Sequence, residues 1–69
     1  MPPRVADMRQ LWHPEFQRWV PCIVWAVDPD DGTRLEVLYP SGQAWTSVRA
    51  VVATPENIED NIWKWRDIE

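Results

Sequence analysis

A chain of 69 residues holds one domain, and a domain this short buries only about 60% of its unfolded surface, so it needs dense packing, cross-links or association. One cysteine, Cys22, and one histidine, His13, exclude an internal disulfide and the usual zinc ligand sets. A net charge of −4 with scattered Arg and Lys argues against direct nucleic-acid binding, and no apolar run approaches the roughly 20 residues that cross a bilayer. No metal and no cofactor is expected. The N-terminus lacks the charged-then-apolar plan of a secretory leader, so a soluble intracellular setting, cytoplasmic or nuclear, is expected. Six tryptophans stand out, and each can bury roughly 150–250 Å².

Residues 1–6 carry Pro2 and Pro3 and little that packs, and read as a flexible tail. Residues 7–12 form a short strand pattern that ends at His13-Pro14, because proline holds the residue before it in extended geometry. Residues 14–17 read as a loop. The run RWVPCIVWAV, residues 18–27, is the clearest strand, rich in Val, Ile and Trp. It is apolar on both faces: Val20, Cys22, Val24 and Ala26 on one, Trp19, Ile23, Trp25 and Val27 on the other. A strand with one wet face should alternate apolar with polar, so both faces of this one must be covered. Pro21 lacks a ladder donor and places its part of the strand at an edge or bulge.

Asp28-Pro-Asp-Asp-Gly-Thr33 is a turn. Residues 34–39 are a second strand of this group, with Leu35, Val37 and Tyr39 on one face. Pro40-Ser-Gly42 is another turn. Residues 43–52 are a further strand, and residues 51–53 mark a break before a short closing strand. Thr54-Pro-Glu-Asn has the form of a helix start, with Thr54 as N-cap and Pro55 at the first position. Ile58, Ile62 and Trp65 then share a stripe, which predicts a C-terminal helix over residues 54–69, docked on the apolar face left over on the 18–27 strand.

The order of elements predicts a mainly β domain: a small barrel or bent antiparallel sheet of three to five strands over residues 7–53, with that helix packed on it. Residues 11–52 resemble a Tudor-like or SH3-like barrel. The resemblance rests on Trp12, on W-V-P-C-I-V (Trp19 to Val24), on Val27-Asp28, on an Asp-Gly hairpin, on V-L-Y (Val37 to Tyr39) and on Ser41-Gly42. It implies an aromatic cage for a methylated lysine or arginine, held by cation–π attraction. Trp12 and Tyr39 fall where two cage aromatics belong. Val20 and Gln43 occupy two further cage positions and are not aromatic.

Trp25, mid-strand, and Trp65, on the helix stripe, are expected in the core. Trp12, Trp19 and Trp45, with Tyr39, are the candidate binding surface, since contact hot spots favour Trp and Tyr. His13 reads as a solvent-facing loop histidine and Cys22 as a buried small hydrophobe. Asp28, Asp30 and Asp31 lack the twelve-residue calcium pattern and read as a plain turn. No nucleophile, base or metal set has recognisable spacing, so no enzymatic activity and no catalytic residue is expected. The chain is expected to be a protein–protein interaction module, with self-association into a homodimer included. The alternatives are an acidic effector or inhibitor, of the type found in viruses and mobile elements, and a Tudor-like reader of methylated peptides.

Overall fold

The computed structural model describes residues 2–68. It contains five strands: β1 (Met8–His13), β2 (Arg18–Val27), β3 (Arg34–Ser41), β4 (Ala44–Val52) and β5 (Lys64–Arg66). They close into a barrel in chain order, with β5 antiparallel to β1 and parallel to β4. The mainly β expectation and that of a small barrel therefore hold at the level of architecture.

Each hairpin follows from its turn residues. In the β2–β3 turn, Asp28 Oδ1 accepts from the amides of Asp30 and Asp31, and Asp31 Oδ1 accepts from the amide of Thr33. Such side-chain bonds let Asp replace a backbone partner in a tight reversal. In the β3–β4 turn only two residues lie between the paired Ser41 and Ala44. Gly42 takes φ 64°, the first central position of a type II′ turn, which glycine adopts without steric cost. The β1–β2 loop ends at Gln17, whose amide reaches back to the His13 carbonyl at 2.7 Å with φ 52°.

The interior alternates as a barrel wall should. Leu11 comes from β1, Cys22 and Val24 from β2, Leu35, Val37 and Tyr39 from β3, Ala50 from β4 and Trp65 from β5. The chain ahead of β1 is tied to β2 as well: the Ala6 amide donates to the Val24 carbonyl, and the Val24 amide to the Asp7 carbonyl.

The expected C-terminal helix is absent. Residues 55–60 are turns and bends, and Lys64–Arg66 is a strand. The start signal is real but local. Thr54 Oγ1 accepts from the Asn57 amide at 3.3 Å, and Asn57 Oδ1 accepts from the Thr54 amide at 2.8 Å. The Asn57 side-chain amide then donates back to the Val52 carbonyl, which folds the turn onto β4 instead of extending it. A short helix depends on docking to persist. Insertion of β5 between β1 and β4 gives both strands a backbone partner and competes successfully for Trp65. Its indole N–H donates to the Thr33 carbonyl at 2.9 Å, and its own carbonyl accepts from the Ala53 amide at 2.8 Å. Residues 53–63 thus form the long crossover that a parallel pair requires. Ile58 and Ile62, the other members of the stripe, are left exposed.

Candidate protein-docking face

The register lays out the outside of the barrel. Trp12 stands opposite Trp19, and Gln10 opposite Pro21. Met8, Ile23, Leu38 and Ser47 form one continuous row across β1 to β4, and Pro40 stands opposite Trp45. Cross-strand partners share a face, and these positions alternate with the buried residues, so all of them point outward. The outer surface of the sheet is thus apolar along most of its width. Charge enters at its ends, where Arg49 pairs with Glu36 and Arg66 sits beside Gln10.

Trp25 is aimed onto this face by a bulge. The β2–β3 register shifts between Val24 and Ala26. A bulge bends its strand and redirects the side chain there. The Trp25 indole N–H reaches Ser47 Oγ on β4, two strands away, at 3.1 Å. The ring therefore lies across β3 and remains 47% exposed. Trp45 is 56% exposed, and Met8, at the other side of the row, 53%. Trp25 was expected in the core; alternation from the buried Val24 turns it out and the bulge lays it across β3, so that expectation is corrected.

Trp12 and Trp19 sit on the same wall but are engaged. Their rings meet edge to face at 5.6 Å. Arg66 lies 3.9 Å above the Trp19 ring and is held there by Gln10 Oε1 at 2.6 Å from its Nε. Lys64 Nζ lies 5.0 Å from the centre of the Trp12 ring and donates to the Asp60 carbonyl. Lys64 is only 1% exposed. Cations over indole faces are attracted by the ring quadrupole, so the chain's own side chains already occupy these two tryptophans.

Tyr39 does not join them. It is buried inside the barrel, facing away from Trp12, and lies 5.3 Å from the His13 ring and 5.4 Å from the Trp63 ring. Of the four candidate surface residues, the structure brings Trp12 and Trp19 into contact, places Trp45 on the same outer wall and sets Tyr39 within. His13 is corrected too. It is 4% exposed at the end of β1, stacked on Phe16 at 4.0 Å and 4.8 Å from Trp63. Its Nδ1 accepts from the Phe16 amide at 3.3 Å. Phe16, Tyr39 and Trp63 thus surround a ring supplied by the chain itself.

The remaining chemistry is quiet. Burial pushes the Cys22 thiol up to about 11, far from the thiolate that reactivity needs. Its Sγ donates to the Arg9 carbonyl at 3.3 Å. Hydrogen bonds from Thr33 hold the Asp31 carboxyl below its ordinary value, with Arg34 adding to the effect. A cleft of about 380 Å³ opens beside the bulge, between Val27, Leu35 and Ala50. Its two arginines, Arg34 and Arg49, face Asp31 and Glu36 at 3.5 and 3.3 Å, so neither presents an unbalanced charge. Among the described residues no three His, Cys, Asp or Glu side chains gather as a metal site would require, and no helix is long and apolar enough to cross a membrane.

Set against known proteins, the chain matches no family model, no curated protein and no solved structure.

Of the residues placed differently from expectation, Trp25 carried a legible signal. A ten-residue strand apolar on both faces exceeds what so small a chain can cover. With the helix absent, Trp25 on the second face stays exposed, while Trp19 is covered by Trp12 and Arg66.

Proposed function

We propose that this chain is a non-enzymatic protein-binding module that docks through the outer face of β2, β3 and β4, with Trp25 and Trp45 as its anchors. One observation carries the reading: β2 is apolar on both faces, and on the outer one Trp25 stays 47% exposed beside an only partly buried Ile23. Exposed apolar patches of this size mark contact surfaces. Tryptophan is among the residues most enriched at contact hot spots. The N–H of Trp25 is already held by Ser47, so a partner meets a ring fixed in place and little side-chain freedom is lost on contact.

A Tudor-like reader of methylated lysine or arginine is favoured less. Such a cage must be open to its ligand. The tightest group of rings here, Phe16, Tyr39 and Trp63, is filled by His13. The faces of Trp12 and Trp19 are occupied by Lys64 and Arg66.

The test is affinity capture with the full chain and with a Trp25→Ser, Trp45→Ser double variant. The wild type is expected to retain a protein in stoichiometric amount, and the double variant to lose it. A Trp12→Phe variant, altered on the engaged side, should still retain it. Equal capture by the double variant would overturn the assignment of this face.

A further inference from the structure

We infer that the outer face of β2, β3 and β4 is covered by a second copy of this chain, packed face to face about a two-fold axis. The inference rests on the reading of that face as a docking surface and names its occupant.

Area favours a second copy. Trp25, Trp45 and Met8 are each about half exposed, which at typical side-chain areas leaves about 350 Å² of apolar surface on these three alone. With Pro21, Pro40 and the partly exposed Ile23 and Leu38, the patch reaches about 500–600 Å², the upper end of what a soluble monomer displays. Two such patches brought together bury about 1,000–1,200 Å², which meets the lower bound for a specific interface.

The patch is also self-complementary. A two-fold contact requires one patch to hold both the protrusion and the surface that receives it. Trp25 and Trp45 are the protruding residues. Pro21, Pro40 and Leu38, on the same wall, are the flatter surface that an indole covers.

Charge permits the contact as well. The chain carries −4, and like charges across a contact would oppose pairing. The rows Met8–Ile23–Leu38–Ser47 and Pro40–Trp45 contain no ionisable side chain. The densest acid, Asp28, Asp30 and Asp31 in one loop and Glu56, Glu59 and Asp60 in another, lies outside the strands. A copy can therefore approach along this face without setting carboxylate against carboxylate at its centre.

The anchors fix the mode. Trp25 and Trp45 project from the outer face of the sheet and not along a strand edge, so a copy that covers both must meet the face. It packs as the facing layer of a sandwich, about 10 Å away.

The experiment is sedimentation equilibrium of the full chain between about 5 and 500 μM, a range chosen because an interface at the lower size bound gives micromolar affinity. The mass is expected to rise from the 8.2 kDa of one chain toward twice that value. Trp25→Ser and Trp45→Ser should each weaken association at least tenfold, while Ile58→Ser, exposed in the 53–63 connection, should leave it unchanged. A second readout needs no variant. With fluorotryptophan incorporated, the ¹⁹F resonances of Trp25 and Trp45 should move with concentration, and that of buried Trp65 should not. A monomer over the whole range overturns the second copy. If Trp25 and Trp45 of that monomer still capture another protein, the docking face survives with a different occupant. A dimer that both serine variants retain also overturns the inference.

Discussion

Trp65→Phe tests how the barrel is closed. The substitution keeps an aromatic ring at the centre of β5 but removes the indole N–H and about one ring of volume. The N–H bond to the Thr33 carbonyl is lost, at a net cost of about 1 kcal/mol. That carbonyl keeps the Val52 amide at 3.0 Å, so it is not orphaned and the cost stays near the mean. The smaller ring leaves roughly 40 Å² of contact unmade, about 1 kcal/mol at 25 cal/mol per Å², and the residual cavity adds a similar amount. The sum is about 2–3 kcal/mol, against roughly 3–10 kcal/mol of total stability for a chain of this length.

For a domain this size each kcal/mol moves Tm by about 4–8 °C, so Tm should fall by roughly 10–20 °C. Calorimetry or near-ultraviolet circular dichroism reads the shift. Hydrogen exchange locates it. The amides of Val51 and Ala53 donate to the Trp63 and Trp65 carbonyls, and their protection should drop more than that of Val24 or Val37 in the middle of the sheet. A Tm within about 3 °C of the parent would refute the reasoning. So would a far-ultraviolet spectrum with helical minima in the parent, because β5 would then not be the strand that closes the barrel.

Three further outcomes follow from the geometry. The Cys22 thiol is raised from 9.0 to about 11 by burial, so the neutral form is favoured in the fold. Its contribution, on the order of 2–3 kcal/mol, is fully present below pH 9 and lost as pH rises through about 11. Urea titrations at pH 8 and 11 should show a smaller alkaline loss for Cys22→Ala than for the wild type, and an equal loss would exclude the thiol as its source. Gln17 holds φ 52°, a conformation that costs a side-chain-bearing residue about 1–2 kcal/mol. After the extra unfolded-state entropy of glycine is subtracted, Gln17→Gly should stabilise by about 0.5 kcal/mol, seen as a small rise in Tm. Gly42→Ala should do the opposite by about 1 kcal/mol at φ 64°, from the backbone alone, since an added Cβ there meets no atom within 4 Å.

Local chemistry made the strands and turns legible. The Asp28–Thr33 and Ser41–Gly42 turns, the alternation of Leu35, Val37 and Tyr39, and the doubly apolar 18–27 run all lead directly to the β2–β3–β4 meander. What could not be read was where long-range pairing overrides a local preference. Thr54 and Asn57 make the bonds of a helix start, and Ile58, Ile62 and Trp65 have helical spacing. Nothing in the spacing says that β1 and β4 both lack a partner until residues 64–66 fill the gap. The same limit applies to Trp25. Strand alternation puts it opposite Val24, but only the bulge decides that it lies across β3 to meet Ser47. His13 looked like a loop residue because Pro14 follows it, yet β1 includes it, and Tyr39 from β3 and Trp63 from the 53–63 connection enclose it.

The tryptophans on the outer wall differ in what a partner must displace. To reach the face of Trp19 it would have to move Arg66, breaking a cation–π contact at 3.9 Å and a 2.6 Å bond to Gln10. To reach Trp12 it would disturb Lys64, whose ammonium has the Asp60 carbonyl and that ring as neighbours in a buried site. Exposing or re-burying such a group without its partners costs more than an indole contact returns. Trp25 and Trp45 impose no such exchange. Trp25 keeps its bond to Ser47 while its ring is covered, and the closed barrel beneath holds both rings in register. Binding strength should therefore concentrate at these two residues, and substitutions at Trp12 or Trp19 should lower stability more than affinity.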